Sequence, residues 1–125
     1  MNAINLAKTA YSNPAITTRT LRGVEYDLFA RITARLSRAA ALGKAGFPDL
    51  ATAIYENRRL WITLALDVAD PDNALPASLR ARLFYLAQFT EQHSGKVLAG
   101  MASSEVLVDI NTAIMRGLRG IGEIA

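Results

Sequence analysis

Residues 55–67, Tyr55 to Asp67, read YENRRLWITLALD, and the fold turns on this stretch. At roughly 100° per residue, the spacing of an α-helix, it carries two apolar stripes. With its flanks included, one stripe is Leu50, Ile54, Leu60, Trp61, Leu64 and Val68. The other, on the far side of Arg58, is Tyr55, Ile62 and Leu66. Only a narrow arc of Thr52, Glu56, Arg59, Thr63 and Asp67 is clearly polar. A surface helix ordinarily has one apolar stripe, facing the core. Two stripes predict a helix covered on more than one side, partly by other helices of the chain and partly by a partner. Asn57 interrupts the main stripe between Ile54 and Trp61. A polar group there costs free energy unless it is hydrogen-bonded, so Asn57 is expected to fix register or tie down a loop. Trp61 is expected in the core, where its ring removes a large area from water.

Outward from this helix, apolar residues keep the helical period and no segment alternates as a strand does. A short N-terminal helix near Ala3–Tyr11 is ended by Ser12-Asn13-Pro14. Thr17 or Thr18 then caps a helix whose apolar arc is Leu21, Val24, Leu28, Phe29, Ile32, Leu36, Ala39 and Ala40, stopping at Gly43–Gly46. Phe47-Pro48-Asp49 opens the central helix, with Pro tolerated and Asp favoured in a first turn, and Asp70-Pro71 closes it. Asn73 or Ser78 caps the next, with Leu79, Leu83, Leu86, Phe89, Thr90, His93 and Val97 on its stripe. Ser94-Gly95 weakens that helix and Gly100 ends it. Ser103 caps the last, which carries Val106, Leu107, Ile110, Ala113, Ile114, Leu118 and Ile121. Gly117, Gly120 and Gly122 make its end prone to fray. Short connections favour antiparallel neighbours. The expected fold class is all-α, a small antiparallel helical bundle of four main helices plus a short N-terminal helix, with residues 1–125 as one domain.

The length of 125 residues allows a core without staples. No Cys is present, which removes disulfides, thiolate catalysis and thiolate metal sites. No basic stretch followed by an apolar run opens the chain, and Leu60–Leu66 is far short of the ~20 residues of a membrane span. A cytoplasmic location without membrane insertion is expected. Residues 1–46 hold seven Lys/Arg and two acidic residues, a balance of +5; residues 47–125 hold seven and nine, a balance of −2. A basic first third suits nucleic acid or an acidic protein partner, and is too mild to choose between them.

Catalysis has little to stand on, and the chain is not expected to be an enzyme. His93 lies on an apolar stripe and reads as a core-edge histidine with one hydrogen-bond partner. It is poorly placed as a base for Ser94, because adjacent helix residues diverge by roughly 100°. Asp67, Asp70, Asp72 and Asn73 resemble half a calcium loop, but the turn glycine and closing Glu are missing, so they read as a solvated loop and a cap. Gly117, Gly120 and Gly122 run in the wrong order for a dinucleotide fingerprint and follow no strand. No metal or cofactor is expected. Arg31, Arg35 and Arg38 recur at i, i+4 and i+7 and border the apolar arc of the second helix. They are either a solvated edge whose stems cover apolar surface or a cationic rim beside a groove, suited to an amphipathic helix carrying Asp or Glu. An RNA phosphate track lacks the aromatic interleaving of single-strand binders.

The order of Tyr55-Glu56-Asn57-Arg58, Leu60-Trp61, the Asp67…Asn73…Leu75-Pro76 loop, Leu79-Arg80, Leu83-Phe84 and the stretch Leu107–Leu118, with Ala10-Tyr11 near the start, resembles the flagellar protein FlaF family of alphaproteobacteria. The resemblance covers nearly the whole chain. Its single motifs are ordinary helix residues; order and spacing carry it. It implies a role in flagellar assembly, in which flagellin is a partner and the FlbT protein, which acts on flagellin messenger RNA, is a further one. Within that resemblance the chain is expected to be a flagellin secretion chaperone or export adaptor that couples flagellin synthesis to filament assembly. The alternative is a regulator of flagellin expression, acting on the messenger directly or through FlbT. The expected partner-binding residues are Arg31, Arg35 and Arg38 on a rim, with Tyr55, Ile62 and Leu66 as apolar anchors.

Overall fold

A computed structural model describes residues 26–124, with side chains as far as Arg116. Four α-helices and one short 3-10 turn follow in order: α1 (Tyr26–Ala41), the turn Gly43–Gly46, α2 (Phe47–Ala69), α3 (Ala77–Leu98) and α4 (Glu105–Ile124). The described residues contain no strand, and the fold is all-α. The expected helix at Ala3–Tyr11, the Thr17 or Thr18 cap and the start of the second helix lie outside the described residues, as do the side chains of Leu118 and Ile121.

Helix α2 is the centre of the bundle. It packs along α1 on one side and α3 on the other, while α4 packs mainly on α1 and touches α3 lightly. The main apolar stripe of α2 is what these neighbours cover: Ile54, Leu60, Trp61, Leu64 and Val68 are buried, and Leu50 is half-buried. From α1 come Phe29, Ile32, Leu36 and Ala39. Ala40 has the same helical period but is exposed in the last turn. Phe29 meets Trp61 edge to face, ring centres 6.0 Å apart at 80°, the geometry that aromatic quadrupoles favour.

The junctions follow from local chemistry. Gly46 is needed where the chain turns into α2, because a Cβ there would lie 2.3 Å from the Ala39 carbonyl oxygen. Asp70 precedes Pro71 and takes an extended conformation, φ −65° and ψ 128°, as ring sterics demand, so α2 stops. Asn73 does not cap α3. Its Nδ2 donates to the Asp67 carbonyl at 2.9 Å, and its Oδ1 accepts from the Leu75 N–H at 2.9 Å, which holds Leu75 in the core. Ser78 does not cap it either. The helix starts directly after Pro76 with no side-chain cap, since proline sets φ there by itself. Ser94-Gly95 leaves α3 intact to Leu98. Gly100, at φ +74°, then ends it: Met101 N–H donates to the Lys96 carbonyl at 2.8 Å and Gly100 N–H to that of Val97 at 3.0 Å, a Schellman closure. Ser103 caps α4, its Oγ accepting from the Glu105 N–H at 3.0 Å.

The core holds a polar knot at its centre. Asn111 of α4 accepts from the Trp61 indole N–H at 2.9 Å and donates to Asn57 Oδ1 at 2.8 Å and Thr33 Oγ at 3.1 Å. Asn57 and Asn111 are both fully buried. Asn57 therefore fixes register, as expected of it, by tying α2 to α4. The same knot reaches α1 through Thr33.

Candidate partner-binding surface

Burial takes one stripe of α2 and leaves the other outside. Tyr55, Ile62 and Leu66 are 59 %, 50 % and 70 % exposed. They form one ridge along the outer arc of the helix. Arg59 lies on this ridge, its guanidinium 5.8 Å from the centre of the Tyr55 ring and Nη1 donating to the Tyr55 hydroxyl at 3.3 Å. A groove runs along each flank of the ridge.

The α1–α2 groove has a volume of about 520 Å³ and is lined by Arg35, Arg38, Leu42, Asp49, Thr52 and Glu56, among others. Arg35 pairs with Glu56 across it, so this arginine is committed to α2. Arg31 is exposed on α1 but does not line the groove. The structure thus gathers Arg35 and Arg38 on one flank of α2 and Tyr55, Ile62 and Leu66 on its crest. It does not join the two sets in a single groove.

The α2–α3 groove has a volume of about 370 Å³ and is more apolar. Ile62 and Phe84 stand at its walls, both partly exposed, and Trp61, Ala65, Ala87 and Thr90 line its depth. At one end Arg58 grips Glu91 in a two-pronged pair: Nε donates to Oε2 at 3.0 Å and Nη2 donates to Oε1. These hydrogen bonds hold the Glu91 carboxyl below its ordinary range and raise the Arg58 guanidinium, each against a smaller opposing effect of burial. Thr90 is 1 % exposed and its hydroxyl has no hydrogen-bond partner in the protein.

Sequence reasoning missed the α3 side of this groove. The available signal was Phe84, a large apolar residue one position past Leu83 and therefore off the α3 stripe. It also missed Asn111, although a polar residue between Leu107 and Ile114 is the same signal that singled out Asn57.

His93 is half-buried, with Nε2 2.7 Å from the Ser103 carbonyl oxygen and its ring stacked on Phe89 at 5.5 Å. It pins the end of α3 to the loop before α4. Asp70 Oδ1 accepts from the Asp72 N–H at 2.9 Å, a local turn. Among the described residues no three His, Cys, Asp or Glu side chains are grouped for a metal, and no helix is long and apolar enough to cross a membrane.

Compared with known families, the chain matches over residues 7–118 the model of a family described as flagellar protein FlaF. No curated protein and no solved structure matches it.

Proposed function

The chain belongs to the flagellar protein FlaF family, and from this we propose that it is a non-enzymatic cytoplasmic protein of flagellum assembly that holds flagellin before export. The role is that of a secretion chaperone or export adaptor, coupling flagellin synthesis to filament growth. One observation carries the reading beyond the family: the ridge of Tyr55, Ile62 and Leu66 on a helix whose other face is already buried. Exposed apolar surface of this kind, rimmed by polar residues, is characteristic of interaction sites. Flagellin must stay unpolymerised until export, and its terminal segments are amphipathic helices that such a ridge can hold. Arg31 and Arg38 lie to one side and contribute to the approach rate more than to residence time.

The second reading, a regulator acting on flagellin messenger RNA or through FlbT, draws on the same exposed arginines of α1. Salt separates the two. RNA affinity falls steeply as counterions are released, whereas apolar docking of a helix is far less sensitive. The test is capture of purified flagellin by the purified protein, with and without FlbT, at low and high salt. Capture that survives high salt supports the first reading. Binding of flagellin messenger that is lost with salt, together with no capture of flagellin, favours the second.

A further inference from the structure

We infer that the α2–α3 groove is the anchor site for an uncharged amphipathic helix, one that presents apolar side chains to Ile62, Ala65 and Phe84 between Asn, Gln, Ser or Thr flanks. This deepens the proposed function and rests on it only in taking the client to be a helix.

Two observations select that occupant. The first is size. From Phe84 to Glu91 the groove follows α3 for about two helical turns, roughly 10 Å at 1.5 Å per residue. That suits a short stretch of helix, and the volume of about 370 Å³ takes its side chains. The second is charge. The two charged groups at the groove, Arg58 and Glu91, already satisfy each other, and the remaining exposed polar lining is the amides Gln88 and Gln92. A client charge entering here meets no free counter-charge, loses water, and has to compete with a two-pronged pair. Client amides and hydroxyls, in contrast, can exchange hydrogen bonds with Gln88 and Gln92 at little net cost. The α1–α2 groove differs on each count of charge, since Arg35, Arg38, Asp49 and Glu56 line it.

The lone Trp of the chain, Trp61, lies in this groove and reports on it. The experiment titrates the whole protein with Trp-free helical peptides that share one leucine stripe and differ only in flanks of Gln, Glu or Lys. The Gln peptide should change Trp61 emission and saturate, with the Glu and Lys peptides at least tenfold weaker. Phe84→Glu and, separately, Ile62→Glu should abolish the change while circular dichroism stays native. Equal affinity for a charged peptide, no response to any peptide, or an unaffected Phe84→Glu protein overturns the assignment. So does a doubling of mass in light scattering of the native protein that Phe84→Glu reverses, because the groove then belongs to a second copy. Flagellin capture on the same variants separates the two ideas. If Phe84→Glu still captures flagellin normally, the groove assignment fails and the flagellin reading stands. If the native protein binds the Gln peptide but no flagellin, the groove stands and the flagellin reading fails.

Discussion

Leu64 and Leu66 are two residues apart on the same helix, yet Leu64 is 2 % exposed and Leu66 is 70 % exposed. The face of α2 that holds Leu64 packs between α1 and α3, and Asn57 and Trp61 on it hydrogen-bond to Asn111 of α4. Around Leu66 no residue of the described chain closes over the ridge. The difference teaches that hydrophobicity along α2 has two separate uses. The inner face supplies stability, and there Asn57 is held by its Oδ1, which accepts from Asn111 of α4. Among the described residues nothing packs on the outer face, so its apolar side chains are left available for contact.

The sharpest way to break this comparison is to truncate both leucines. Leu64→Ala should cost about 2–5 kcal/mol in denaturant unfolding, the usual range for a buried leucine with a residual cavity. Leu66→Ala should stay within about 0.5 kcal/mol of the native protein. Equal costs would mean that the outer stripe is covered after all. Next in size is Asn111→Ala, which leaves the Trp61 N–H and Asn57 Oδ1 buried without partners and should cost about 2–3 kcal/mol. A double-mutant cycle with Asn57→Ala should show coupling of at least about 0.5 kcal/mol, as groups within one network do; additive losses would dissolve the knot.

Smaller effects sharpen the outer face. Glu91→Gln removes the Arg58 pair, which is partly exposed and therefore worth only about 0.2–1 kcal/mol. Because the folded-state carboxyl is held below its ordinary range, this contribution is full at neutral pH and fades as pH falls through the folded-state value. The difference from the native protein, followed by urea melts, should therefore vanish only on the acid side of the usual carboxylate range. Arg31→Glu with Arg38→Glu should leave the melt unchanged and act on kinetics alone. Flagellin association should slow severalfold at low salt, with the gap closing as salt screens the charges.

Much of the fold was legible because helix periodicity and punctuation are local. Pro48, Asp70-Pro71, Gly100 and Ser103 each act through their own backbone or side chain, and each does what its residue type dictates. Asn73 and Ser78 misled because capping depends on which backbone the loop brings near, and Pro76 had already set the start of α3. The site was legible by halves. The Tyr55, Ile62 and Leu66 stripe is a property of one helix and follows from its spacing. Whether Arg35 and Arg38 border that stripe depends on how α1 is rolled against α2, and the Arg35–Glu56 pair belongs to the opposite flank. The α2–α3 groove joins residues 62 and 84 across a packing interface, which no single-helix period encodes. Asn57 announced a buried partner by its position, while the identity of that partner, Asn111, is a matter of tertiary packing.

The most direct test of the whole account is the dissociation rate of flagellin from the native protein and from an Ile62→Asp, Leu66→Asp variant, with thermal melts recorded on both. The account predicts dissociation faster by at least tenfold, a loss of about 1.4 kcal/mol or more, with an unchanged melt. Native dissociation from a variant that melts normally would contradict it, because the exposed stripe of α2 would then have no part in holding flagellin.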